Sequence, residues 1–180
     1  RYKDSPDGIS EMLIPGQKGQ FYQANSYEHL EDSHTTEDGE AVKLQVDKRE
    51  RKVQTYLKNH FVGPSIYGDA NAEIVFVSWG SMKGVLLAAQ KLLKEEHNIA
   101  TKLIHFTHIF PMDEAKVKSA FTDMTSGKKR YILIENNSQA QFGQLLRMLT
   151  GIDLTEKMLK YDGRPFWAEE IVSYVTGAAK

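Results

Sequence analysis

The sequence predicts an α/β fold in which one sheet is covered by helices on both faces. Three observations carry this. Short apolar runs such as Glu73–Ser78, Lys102–Thr107 and Tyr131–Glu135 lack the polar alternation of a half-exposed strand. Segments of helical periodicity separate them, and turn residues bound each one. A strand that is apolar throughout has both faces buried, and its alternation with helices places those helices on both sides of the sheet. Crossovers joining parallel neighbours are right-handed.

The elements follow in order. Residues 1 to 38 crowd turn signals, Pro6-Asp7-Gly8, Pro15-Gly16 and Lys18-Gly19, and show almost no periodicity. They read as an irregular arm with one short strand near Gln20–Ala24. From Gly39 to Phe61, Val42, Val46, Val53, Leu57 and Phe61 recur at helical spacing. That predicts a long helix with one buried stripe and, in Lys48-Arg49-Glu50-Arg51-Lys52, a solvated charged face. After the Gly63-Pro64 break, strand Glu73–Ser78 is followed by helix Met82–Glu95, whose core face is Val85, Leu86, Ala89, Leu92 and Leu93. Strand Lys102–Thr107 precedes helix Asp113–Met124, with Val117, Ala120 and Phe121 inward. Strand Tyr131–Glu135 precedes helix Gln139–Thr150, and a short strand Lys157–Tyr161 precedes the last helix, Pro165–Thr176. The division is into an arm with its long helix, 1–62, and an α/β domain, 63–180.

Composition narrows the function classes. A net charge of −1 gives no general pull toward nucleic acid or anionic lipid. The chain has no cysteine, which excludes disulfides, thiolate metal sites and a cysteine-held iron–sulfur cluster on its own residues. No apolar run approaches the ~20 residues of a membrane span, so neither nucleic acid nor membrane is expected as a partner. A cytoplasmic location is expected. The chain starts at Arg1 in a loop-like stretch, which raises the expectation of a piece cut from a longer protein.

Four places could carry chemistry. In Ser78-Trp79-Gly80-Ser81-Met82-Lys83-Gly84, Gly80 suits a tight turn and Ser81 a helix N-cap. A helix start there could hold an anion, but the spacing is neither GxxxxGK[ST] nor GxGxxG, and capping is the plainer reading. His105 and His108, three apart at a strand end, face opposite sides and are poorly placed to share a metal. His29 and His34 sit among five acidic residues in "SYEHLEDSHTTED". They could meet in a loop, and interface or loop hydrogen bonding is the plainer role. Glu135 ends a strand, where open α/β sheets place ligands, yet acid–base work would need partners that the sequence does not display. The favoured reading of Glu135-Asn136-Asn137 is a strand-to-helix corner whose side chains hold the helix start and face a partner domain.

The ordered set of segments resembles the C-terminal part of the alpha subunit of 2-oxoacid:ferredoxin oxidoreductases. "DGIS…PG" (Asp7–Ser10, Pro15-Gly16) is similar to the family's arm, and "SYEHLEDSHTTED" to its Glu-His-acidic segment before a long helix. "KRERK", "VSWGSMKG", "IFPM", "IENNSQAQFGQLLRMLTG" and "DGRPF" follow in the family's order. Two departures stand out: Ala140 occupies the place of the family's glycine before Gln141, and Glu11-Met12 replaces a proline and a basic residue.

The resemblance implies a transketolase C-terminal-like domain, a three-layer α/β/α unit. Its sheet would be mainly parallel, of about five strands, with one antiparallel edge. It implies thiamine diphosphate, Mg2+ and iron–sulfur clusters held elsewhere in the complex, with no catalytic, cofactor or metal residue in this chain. The expected partners are the beta subunit and other domains of the same oxidoreductase, with ferredoxin and coenzyme A at the level of the complex. The expected reaction of that complex is oxidative decarboxylation of a 2-oxo acid. The residues expected to face an interface or ligand are Glu28, His29, Gly80, Ser81, Glu135, Asn136, Asn137 and Gln141. Two alternatives stay open: the equivalent domain of another thiamine-diphosphate dehydrogenase, and a free-standing ligand-binding or regulatory α/β domain.

Overall fold

Residues 1–124 and 127–177 are described by the computed structural model; positions 125–126 and 178–180 of the expected second domain lie outside the described residues. The chain forms two units, Arg1–Phe61 and a second beginning at Val62.

The first unit is a long helix with an irregular arm laid along it. Gln20–Ala24 has no regular structure, contrary to expectation. Pairing occurs later, between the two-residue strands β1 (Glu28–His29) and β2 (Thr35–Thr36), antiparallel with Glu28 opposite Thr36. Helix α1 (Gly39–Asn59) starts at Asp38, whose carboxylate accepts from the Ala41 N–H at 2.9 Å.

The buried stripe predicted for α1 is corrected. Phe61 is buried, but Val46 is exposed, and the buried side chains of the helix are Gln45 and Lys48. The reason is what packs on it. The arm presents main-chain oxygens rather than apolar side chains. Lys48 Nζ donates to Tyr2 O at 2.9 Å and Gln45 Nε2 to the same oxygen at 3.2 Å. Thr55 Oγ1 donates to Asp7 O at 2.8 Å. The basic run is therefore not simply a solvated face: Arg49 grips the Glu28 carboxylate with two bonds, 3.0 and 2.7 Å, and Arg51 pairs with Asp4. Gly8, at φ 76°, lies so close to α1 that a Cβ there would overlap the main chain of Lys48 and Lys52.

The second unit is a three-layer α/β/α arrangement. Strands β3 (Ser65–Gly68), β4 (Ile74–Trp79), β5 (Thr101–Phe106), β6 (Arg130–Glu135) and β7 (Glu156–Leu159) lie in the order β3-β5-β4-β6-β7. All neighbours are parallel except β3, which runs antiparallel to β5. This is the mixed five-stranded sheet that the resemblance implied, and β3 is its antiparallel edge. Helices α2 (Lys83–His97) and α5 (Ala168–Thr176) pack together on one face. Phe76, Leu86, Leu103, Ile132 and Ile171 fill the space between. The short α3 (Glu114–Lys118) and α4 (Gln141–Thr150) cover the other, where the Phe106 ring meets Phe142 at 4.8 Å and Phe121 at 6.5 Å. Each such fully buried large side chain contributes roughly 1.5–3 kcal/mol over leaving it in water.

Arg130 on β6 braces the edge strand β7. Its Nε and a terminal nitrogen hold the Glu156 carboxylate at 2.9 and 2.6 Å. The Arg130 hydrogen bond keeps the Glu156 carboxyl below its ordinary value of 4.5. A depressed carboxyl stabilises the fold above that value, and the contribution is lost as pH falls through the lowered one. Glu156→Gln is therefore expected to narrow the stability gap between neutral and acid urea titrations. Both partners are partly exposed, so the effect is modest. An unchanged gap would show that the pair is inert.

Candidate functional site

The strand order reverses between β4 and β6. From β4 the chain crosses by α2 to β5 on one side; β6 and then β7 lie on the other. The crevice beyond the carboxyl ends of such a strand pair is where open α/β sheets bind ligands. Here it is formed by Trp79, the last residue of β4, with Gly80-Ser81 after it, and by Asn136-Asn137 after β6. It continues into an open cleft of about 560 Å3 whose lining adds Lys160, Tyr161 and Arg164.

Glu135 does not line it. The side chain is 0% exposed, and both oxygens are occupied. Oε1 accepts from the Gly143 N–H at 2.9 Å; Oε2 accepts from the Phe142 N–H at 3.1 Å and from Asn137 Nδ2 at 2.6 Å. The two main-chain N–H groups are unpaired donors of the first turn of α4, so the carboxylate serves as an internal anion for that helix. Asn137 completes the corner, its Oδ1 accepting from the N–H groups of Gln139 and Gln141, both at 3.1 Å. The helix starts at Gln141 rather than Gln139 because Ala140 adopts a left-handed conformation, φ 53°. That conformation explains why glycine suits this position. Gly143 lets the helix approach β6, since a Cβ there would overlap Leu133.

Glu135 therefore holds the start of α4 rather than facing outward, and a fully buried carboxylate with a hydrogen bond on each oxygen is out of reach of a substrate in the crevice. Ser81 is not an N-cap. Gly80–Met82 forms a 3-10 turn ahead of α2, and neither Trp79 nor Met82 makes a capping bond. A serine inside the turn lies past the position from which a hydroxyl caps. Gly80 does take the tight turn, at φ 60°, and its carbonyl accepts from Nε2 of the buried His105 at 2.8 Å. Gly80, Ser81, Asn136 and Gln141 are exposed, and Asn137 is half-buried.

Glu28 and His29 belong to the first unit. Glu28 is held by Arg49, whose hydrogen bonds keep its carboxyl below the ordinary range. His29 is buried and stacked on Tyr2, ring centroids 4.2 Å apart. His34 lies outside, paired with Asp32 at 3.0 Å. Among the described residues no group of three or more His, Asp or Glu could hold a metal ion, and no helix is long and apolar enough to cross a membrane.

Sequence reasoning passed over the loop that walls the cleft. Lys160 Nζ binds both oxygens of Glu170 at 2.6 and 2.8 Å, which holds the Glu170 carboxyl below its ordinary value. Glu170 also accepts from the Trp167 N–H at 2.7 Å, starting α5. The available signal is an arginine and three aromatics crowded into "YDGRPFW", a stretch whose proline and glycine point to a turn.

No family model matches the chain. Individual proteins do. The chain is 31% identical over 173 residues to a 2-oxoacid:ferredoxin oxidoreductase alpha subunit of Sulfurisphaera tokodaii, covering 95% of this chain and 26% of that subunit. A corresponding alpha subunit from Saccharolobus solfataricus is 30% identical with the same coverage. Among solved structures, the 2-oxoglutarate:ferredoxin oxidoreductase from Magnetococcus marinus, with 2-oxoglutarate, coenzyme A and succinyl-CoA bound, matches with a TM-score of 0.73 and 26% identity. It covers 98% of this chain and 30% of that one. The chain spans about a quarter of the length of these curated relatives.

Proposed function

Since this chain belongs to the 2-oxoacid:ferredoxin oxidoreductase alpha-subunit family, we propose that it is the C-terminal, transketolase C-terminal-like part of such a subunit and serves as an assembly domain without the catalytic centre. Its arm and long helix, 1–62, lead into the α/β domain of 63–180. The complex it joins would oxidatively decarboxylate a 2-oxo acid in the cytoplasm, passing the acyl group to coenzyme A and electrons to ferredoxin. Thiamine diphosphate, Mg2+ and the iron–sulfur clusters would be held by other domains and the beta subunit.

The observation that carries this reading is the pairing of near-complete coverage of this chain with coverage of only 26% of its relatives. The site supports it. Glu135, the carboxylate best placed for chemistry, is buried and engaged by the start of its own helix and by Asn137, and a Gly-Asp-Gly pyrophosphate motif does not occur in the chain. The exposed Gly80, Ser81, Asn136 and Gln141 would face a neighbouring domain, with Glu135 and Asn137 shaping the corner from behind and Glu28 and His29 fixing the arm.

The test is calorimetry of the 180-residue chain with thiamine diphosphate and magnesium. No binding is expected. Micromolar affinity would overturn the assembly reading and put the cofactor on this domain.

A further inference from the structure

We propose that the loop Tyr161–Trp167, between β7 and α5, is the docking hot spot through which this chain binds a carboxylate-bearing segment of the rest of its own alpha subunit. This rests on the assembly reading above and deepens it.

The loop has the composition of an interface centre, where Trp, Tyr and Arg carry most of the binding energy. Trp167 is 64% exposed and Tyr161 73% exposed, although both are large rings in a well-anchored loop. Arg164 is exposed, and its guanidinium has no partner among the described residues. The other arginines of this unit do have one: Arg130 pairs with Glu156 and Arg147 with Asp153. Among the described residues the cleft beside Arg164 is lined by hydroxyls, amides and Lys160, with no carboxylate. An unpaired guanidinium at such a mouth fits a carboxylate with two parallel bonds.

The loop is also held in place before any partner arrives. Asp162 Oδ1 accepts from the Arg164 N–H at 3.0 Å, Phe166 is buried beneath, and Glu170 accepts from Trp167 N–H. Pro165 fixes one further dihedral. Backbone anchored and side chains outward is the arrangement that lowers the entropy lost on binding.

A small molecule fits less well. The cleft is open and polar, without the apolar enclosure of a ligand pocket. The rest of the subunit is the natural occupant because this chain spans only 26% of its relatives. A covalently linked partner also acts at high effective concentration, so a patch of this size suffices.

The test uses the complete alpha subunit, alone and with its beta subunit. With Trp167→p-benzoylphenylalanine, irradiation is expected to join position 167 to an alpha-chain peptide outside these 180 residues that contains Asp or Glu. A crosslink to the beta subunit, or none to any protein, would overturn the proposal. Arg164→Glu is expected to speed proteolytic release of this domain from the subunit about tenfold, with Arg164→Lys intermediate. Because the Arg164 side chain makes no bond among the described residues, the circular dichroism of the variant should be unchanged. Unchanged release would also overturn the proposal. If the crosslink fails while the subunit still assembles without cofactor on this chain, the hot spot falls and the assembly reading stands.

Discussion

Glu135→Ala is expected to cost about 3–4 kcal/mol of unfolding free energy, the largest loss from any single side chain at the β6–α4 corner. The change leaves the Phe142 and Gly143 N–H groups and the Asn137 amide without their shared acceptor in a buried place. A hydrogen bond to a charged group is worth roughly 1.5–3 kcal/mol, and an abandoned buried donor costs about 1–3. Partial relief by water entering the vacated space keeps the total below the simple sum. In a thermal melt the shift should be roughly 10 °C for a chain of this size. Glu135→Gln should recover only part of the loss, because its amide nitrogen is a donor facing donors. In the complete enzyme, Glu135→Ala should weaken assembly more than it slows the assembled complex. A loss under about 1 kcal/mol would mean that the carboxylate does not hold α4. Intact assembly with abolished turnover would return Glu135 to chemistry.

Gly8→Ala should release the arm from α1. The added methyl would overlap Lys48 O and Lys52 N, main-chain atoms inside a helix that cannot step aside. The positive φ adds strain of its own, for a combined local penalty of about 3 kcal/mol. With Gly8 lifted, the bonds from Lys48 to Tyr2 O and from Thr55 to Asp7 O should go together. Hydrogen exchange should show the arm amides losing protection while α1 keeps its own. Gly16→Ala is the control: φ is 91° there, yet nothing lies within 4 Å of the added carbon, so it carries strain without overlap. Equal effects at the two glycines would show that close approach is not what docks the arm.

The elements of the second unit were legible because burial on both faces leaves an unambiguous mark. Ile74–Trp79 and Arg130–Glu135 are nearly continuous apolar runs, and Leu86, Ala89 and Leu93 keep helical spacing against them. β3 was illegible from its residues, being four positions between two turns, Ser65–Gly68. At the corner, Glu135 was legible as a strand end, but not its burial, which depends on where the first turn of α4 points its N–H groups. Lys48 shows the limit most clearly. Periodicity assumes that helices pack by apolar side chains, whereas here a lysine is buried under a peptide carbonyl that any residue at position 2 would supply.

The docking of the arm through main-chain oxygens has an evolutionary consequence. Beside the Arg49–Glu28 and Arg51–Asp4 pairs, its grip rests on Gly8 and on carbonyls that no ordinary substitution alters. The outward side chains Met12, Phe21 and Tyr27 take little part in that grip and are strongly exposed. They can drift toward new partners across a lineage without loosening the ribbon, so adhesion and recognition reside on separate atoms and can be selected independently.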